Sequence, residues 1–299
     1  MFIGNKKALS FIEKTLAKGS FSQTYIFSGP EAVGKFFLAK VFAVSLINDS
    51  ALDFDFNFQE KSDFDLIVIA PEIEEKKGIT KEKIISIEKI REVQKQLALF
   101  PNYGKRKVLV IDNAHKMNIS AQNALLKILE EPNSTSIIIL VTHEEGKILP
   151  TIKSRCQKIN FGLVSGDEIM EMQNSYDPDA AKDCVLLSMG RPGFFVDMIN
   201  NKEKLDFYRE ARESLGKIRS MDLNERLILA DKISKNIYST IKIMNVWIWI
   251  LRKNALEKMD VFAVGKNYEI IEKIEETISV LKNTNVSGRL VLENLLINI

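Results

Sequence analysis

The chain has 299 residues, enough for two or three domains, and its 45% hydrophobic and 27% charged residues are the balance of an ordinary globular protein. Its 42 basic and 40 acidic residues nearly cancel to a formal net charge of +2, which excludes a wholesale nucleic-acid coat but leaves room for a local basic patch. Two cysteines (Cys156 and Cys184), two histidines (His115 and His143) and no C-x-x-C pair argue against a structural zinc site and fit a reducing cytoplasm.

Met1 to Lys7 carries no apolar targeting core. Lys6 to Lys18 reads as an amphipathic helix, with Gly19 as its stop signal. Thr24-Tyr25-Ile26-Phe27 is a short strand, and Lys35 to Ile47 is a helix with a broad apolar face. Asn48 to Asp63 is acidic and aromatic without a period and reads as a loop. Asp65 to Ile69 is a buried strand, Glu72 to Lys83 a charged surface segment, and Ser86 to Leu99 a helix broken by Pro101 and Gly104. Lys107 to Ile111 and Ser136 to Val141 are apolar on both faces, as strands of a helix-covered parallel sheet are. Between them Ser120 to Glu131 is a helix followed by Pro132, and Gln157 to Phe161 is a last strand. This alternation predicts a doubly wound α/β domain.

After Phe161 only helices are predicted. Ser165 to Glu168 is a capping box, and Asp177-Pro178 is an N-cap followed by proline at the first helical position. Gly190-Arg191-Pro192-Gly193 separates that helix from Phe194 to Asn200. Helices follow over Glu203 to Ser220, Leu223 to Lys258 with an internal break, Tyr268 to Lys282, and Ser287 to Ile297. Ile241 to Leu251 is the most apolar stretch, but it is about half the roughly 20 residues of a membrane span and includes Lys242 and Asn245, so it reads as a buried core helix.

Between the first strand and its helix stands Gly29-Pro30-Glu31-Ala32-Val33-Gly34-Lys35-Phe36, very nearly the G-x-x-x-x-G-K-[ST] phosphate loop. Gly29 and Gly34 let backbone N–H groups turn inward, the helix N-terminus adds positive potential, and Lys35 would face the β- and γ-phosphates. The last position should supply a hydroxyl to Mg²⁺, and Phe36 supplies none. Asp112, at the end of a strand, is placed to polarise Mg²⁺ or its waters, but Asn113 stands where a base would activate water, and an amide accepts no proton at neutral pH. Thr142 closes the neighbouring strand and is a candidate γ-phosphate contact; His143 beside it reads as a solvated strand-end residue and His115 as structural. Arg191 is either a phosphate contact or a turn residue. Lys105-Arg106-Lys107 is either a solvated edge or a DNA-backbone contact. Arg155, in Ser154-Arg155-Cys156, is placed on a turn before the last strand, either as a solvated surface residue or as a fork for another chain's phosphate. Cys156 reads as a small buried residue.

Thr24 to Pro30, Val33-Gly34-Lys35, Asp112 to His115, Asn123-Ala124-Leu125-Leu126-Lys127-Ile128-Leu129-Glu130-Glu131-Pro132 and Ser154-Arg155-Cys156 together resemble the clamp-loader branch of the AAA+ ATPases. The resemblance implies an AAA+ doubly wound parallel-sheet domain over 1–162, a helical lid domain over 163–215 and a helical collar domain over 216–299. Motor subunits of that family keep Lys-Ser or Lys-Thr in the loop, Asp-Glu on the strand and an Arg in the lid where Gly193 stands. Phe36, Asn113 and Gly193 therefore point to the non-hydrolysing type of subunit, which keeps Ser-Arg-Cys. By that resemblance Arg155 is an arginine finger in trans, supported by Ser154 and Cys156, and Gly29, Gly34, Lys35, Asp112 and Thr142 are a vestigial nucleotide site. The implied partners are gamma/tau-type motor subunits and a delta subunit in a hetero-pentamer, with the sliding clamp and primer-template DNA met through the complex, and no membrane. No cofactor is implied beyond weak ATP or ADP binding. No zinc is expected, because Leu46 to Ile67, where relatives carry a four-cysteine module, has no cysteine. A hydrolysing motor subunit and an AAA+ adaptor outside replication stand as alternatives.

Overall fold

The computed structural model describes residues 2–55, 65–76, 79–131, 133–172, 176–218, 220–257, 261–284 and 286–299. The expectations for residues 56–63 of the acidic loop and for Pro132 lie outside them. The elements in order are α1 (Lys6–Lys18), β1 (Thr24–Ser28), α2 (Lys35–Asn48), β2 (Leu66–Ile69), β3 (Ile73–Lys76), β4 (Ile79–Glu82), α3 (Ile87–Leu97), β5 (Lys107–Ile111), α4 (Ile119–Glu130), β6 (Ser136–Thr142), α5 (Pro150–Lys153), β7 (Gln157–Asn160), α6 (Gly166–Met170), α7 (Pro178–Leu187), α8 (Pro192–Asn200), α9 (Lys202–Ile218), α10 (Leu223–Ser234), α11 (Ile237–Glu257), α12 (Val261–Asn283) and α13 (Gly288–Ile297).

The main sheet is parallel throughout, in the order β2-β5-β6-β1-β7. Every residue of β5 and β6 is buried, because helices cover both faces. Side chains alternate between the two cores with period two. Val108 and Val110 join Tyr25, Phe27, Ile137 and Ile139 against Phe42 of α2 and Ile12 of α1. Leu109 and Ile111 join Ile26, Ile138 and Leu140 against Ile90 of α3 and Leu125 of α4. An all-apolar strand is thus two half-strands, each serving one face. Gly19 ends α1 at φ 63°, donating its N–H to the Leu16 carbonyl at 3.1 Å.

Three expectations change. β2 is an edge strand rather than a buried one, with Val68 43% exposed and, within β2, Ile69 alone fully buried. Glu72 to Lys83 holds a two-stranded antiparallel sheet of β3 and β4 rather than a featureless charged segment. Its acidic and basic residues hid the strands, because a small sheet outside the main one does not need an apolar period. At the other end, α12 begins at Val261, ahead of the expected Tyr268. The break predicted inside 223–258 falls between α10 and α11, and Thr240 caps the junction by donating its hydroxyl to the carbonyls of Ile233 and Asn236. No described helix is long and apolar enough to cross a membrane.

The chain divides into two compact units, residues 1–172 with 190–193, and residues 173–189 with 194–299. In the second, α9 to α13 enclose a core centred on the fully buried Trp247, whose indole N–H donates to the Ala211 carbonyl at 2.8 Å.

Candidate functional site

In the first unit the register pairs Ser28 with Thr142 and Ile111 with Leu140, so the chain leaves β1, β5 and β6 at one edge of the sheet. That edge, the carboxyl end of parallel strands, is where doubly wound sheets place ligands. The loop from Gly29 to Gly34 follows β1, and Asp112 follows β5. Gly29 sits at φ 149°, and a Cβ there would lie 2.2 Å from the Phe161 carbonyl oxygen, so only glycine lets the loop pass that backbone. Gly34, at φ 91°, opens α2.

Lys35 is 5% exposed, and its ammonium donates to the Gly29 carbonyl at 2.8 Å and to the Pro30 carbonyl. Burial pulls it down to about 8, against the opposing charges of Asp112 and Glu31 and with the help of Arg191. Arg191, in the turn between α7 and α8, is therefore a turn residue whose charge also reaches the loop. Phe36 is half-buried against the α1–α2 core, with the Lys40 ammonium 4.9 Å from its ring centroid. It offers no oxygen where a magnesium ligand is needed. Gly193 donates its N–H to the Ala32 carbonyl at 2.8 Å. Nothing larger fits there, since a Cβ on Gly193 would stand 2.8 Å from that same oxygen. Ala32 itself is held at φ 58°. The donor set at this edge thus lacks the hydroxyl that a magnesium–nucleotide takes from position 36, and its lysine already serves the loop's own carbonyls.

Asp112 is half-buried, and its N–H continues the β2–β5 ladder to the Ile69 carbonyl at 2.8 Å. Asn113 takes φ 47°, a left-handed conformation that asparagine tolerates better than glutamate would. Thr142 is fully buried; its hydroxyl oxygen accepts the Glu144 N–H at 3.1 Å and lies 3.3 Å from His115 Nδ1. The two histidines meet, with ring centroids 4.2 Å apart. Neither their pairing nor the link to Thr142 could be read from residues so far apart in the chain.

Away from this loop, α5 and the turn after it present Arg155. Its side chain is 40% exposed, with Nη1 donating to the Thr151 carbonyl and Nη2 to Glu130 Oε1, each at 3.0 Å. Ser154 donates its hydroxyl to the Thr151 carbonyl at 3.1 Å and tightens the same turn. Cys156 packs on the α3–α4 core, hydrogen-bonds the Ile152 carbonyl at 3.1 Å, and has its thiol pushed up to about 12 by burial, so it anchors the turn and is no nucleophile. Glu130 is the residue that sequence reasoning missed; it stood in the Leu-Glu-Glu run without a visible partner. An exposed ion pair of this kind is worth only about 0–1 kcal/mol, so Glu130 orients the guanidinium without locking it.

In the basic run Lys105–Lys107 the Lys105 side chain is solvated, 68% exposed, and each of the three has a partner within the chain. Lys105 pairs with Asp49 at 2.5 Å. Arg106 donates to the Leu46 carbonyl at 3.0 Å and stacks over Phe21. Lys107, 3% exposed, donates to the Gln96 carbonyl at 3.2 Å. All three charges tie β5 to its neighbours.

Residues 4–164 match the family described as DNA polymerase III, delta subunit. The chain is 32% identical over 184 residues to DNA polymerase III subunit tau of Bacillus subtilis, across 58% of this chain and 30% of that protein. It is 35% identical over 115 residues to DNA polymerase III subunit delta' of Pseudomonas aeruginosa, across 37% of this chain and 35% of that one. The chain thus matches about a third of the length of each of these two curated relatives. A solved structure of a DNA polymerase III gamma subunit-related protein from Thermotoga maritima shares the fold, with a TM-score of 0.57 at 20% identity over 97% of this chain and 98% of that one. The family match takes in the whole parallel sheet, the phosphate loop and Arg155, and spans more than half of the 299 residues, so the chain belongs to the DNA polymerase III, delta subunit family.

Proposed function

We propose that this chain is a delta-prime-type, non-hydrolysing subunit of a clamp loader, and that it lends Arg155 to the ATP of a neighbouring gamma/tau-type motor subunit. The observation that carries this reading is the contrast between the two ends of the site. Lys35 is spent on its own loop and Phe36 cannot hold a metal, whereas Arg155 is exposed and held by a weak ion pair to Glu130 and one hydrogen bond to the Thr151 carbonyl. The AAA+ sheet, the clamp-loader relatives and the Ser-Arg-Cys turn support it. In the same reading, the helices of the second unit join a pentamer with motor and delta subunits, and sliding clamp and primer-template DNA are met through that complex. Weak ATP or ADP binding without turnover is compatible with the retained loop, no zinc is required, and the two free cysteines suit a cytoplasmic complex.

An arginine finger is worth roughly 10³ to 10⁵ in rate at the site it completes. In a loader reconstituted with Arg155→Ala, DNA-stimulated ATP hydrolysis is therefore expected to lose the share of one motor site. Lys35→Ala in the same complex should leave hydrolysis unchanged. Unaltered hydrolysis with Arg155→Ala removes the finger role, and a loss of hydrolysis with Lys35→Ala favours a motor subunit.

A further inference from the structure

Beside the vestigial loop, the end of β6 and the turn after Asp112 bring together three metal-ligating side chains that the clamp-loader reading does not use. His115 is 5% exposed. Its Nδ1 is engaged with the Thr142 hydroxyl, and its Nε2 is shut off from solvent with no hydrogen-bond partner. Burying a polar nitrogen in that state costs about 1–3 kcal/mol unless something occupies it. The His143 ring stands edge-on to it, and one ring nitrogen of each histidine and a Glu144 carboxylate oxygen lie within 4.8 Å of one another.

We propose that His115, His143 and Glu144 form a binding site for a divalent first-row transition metal of the zinc class, with His115 bound through Nε2. Two imidazoles and one carboxylate are a donor set that zinc and its neighbours favour, leaving further positions for water. Thr142 supplies what a metal-bound histidine needs on its other nitrogen, a hydrogen-bonding group that fixes the ring.

The charges facing the cluster set the cost. Lys116 and Lys147 oppose a cation and Glu144 favours one. Lys147 already holds Glu144 Oε2 at 2.5 Å, while Oε1 lies 3.9 Å from His143 Nε2 and is the oxygen free to turn inward. Tetrahedral ligation at 2.0–2.2 Å needs donors about 3.4 Å apart, so the site must close by about an ångström. His143 and Glu144, with side chains 23% and 40% exposed, have room to make that movement around the fixed His115. A bound metal would pin the end of β6 to the turn after β5.

The proposal is independent of the loader assignment and is tested on the free, tag-free full chain. After stripping with a chelator, the protein is titrated with Zn²⁺ against a chromophoric competitor and with Co²⁺ in the visible range. One equivalent is expected, with Co²⁺ d–d bands and no thiolate charge-transfer band. His115→Gln and His143→Asn should each weaken Zn²⁺ binding by at least about tenfold, the loss seen even for weaker perturbations of metal shells. His143→Asn alters a partly exposed side chain and keeps the test valid even where His115→Gln does not fold. Absence of stoichiometric binding, a thiolate band, or unchanged affinity in His143→Asn overturns the site.

Discussion

Single side chains decide the shape of both ends of the sheet edge. Asp65 is the clearest case, because the sequence shows it only as the first residue of a strand. It is 2% exposed, and its carboxylate accepts the backbone N–H groups of Asn102, Tyr103 and Gly104 at 2.7, 2.9 and 2.8 Å. Burial pushes its carboxyl up, but the N–H donors together with the Asn102 side chain outweigh it and hold the group below the ordinary carboxylate value. The folded pKa therefore lies under the unfolded value of about 4. The stabilisation is complete above that value and is lost as pH falls through the folded one. Asp65→Ala should cost about 3 kcal/mol at pH 7, from three N–H groups left without an acceptor. The gap between wild type and variant should narrow toward pH 3 in urea unfolding, and a gap that stays constant with pH would falsify the ionic account. The same backbone clamp leads into the basic run: Asp65 fixes residues 102–104 and Asp49 pairs with Lys105 and Arg106, both just ahead of β5.

At the scale of elements, the turn 190–193 of the first unit comes closest to the phosphate loop at Gly193. Gly193 touches Ala32 through backbone atoms alone. Gly193→Ala forces the two segments apart and should cost about 1–3 kcal/mol by overpacking, read as a lowered urea midpoint. An unchanged midpoint would mean that the junction gives way freely. Strands β1, β5 and β6 were legible in the sequence because burial on both faces leaves an uninterrupted apolar run. The helices α2 to α4 were legible from period and from breakers such as Pro101. The small sheet of β3 and β4 was not, since its residues are mostly charged and no core dictates their pattern. Lys35 and Arg155 were legible as candidates from motifs, and Phe36 as the departure from one. Glu130, His115 and His143 were not, because each acquires its role only from a residue at least a dozen positions away.

Over the whole molecule the two units hold separate cores, one on each face of the parallel sheet and one around Trp247. Trp247→Ala removes a fully buried indole and its hydrogen bond to Ala211, and should cost about 3–5 kcal/mol in the second unit. Hydrogen exchange should then accelerate in α9, α11 and α12 while the amides of β5 and β6 keep their protection. Equal acceleration in both units would show that the chain unfolds as one body. Neighbouring residues alone specify the α/β class, the succession of a sheet domain and helices, the phosphate-loop signature with its missing hydroxyl, and the Ser-Arg-Cys turn, because each is a local pattern. The packing of distant segments adds that Lys35 is turned onto its own loop, that Arg155 rests on Glu130, that Lys105 to Lys107 each find a partner in another segment, and that the two histidine rings meet beside Thr142. Those are contacts between distant segments, fixed by sheet register and packing, and no local pattern encodes them.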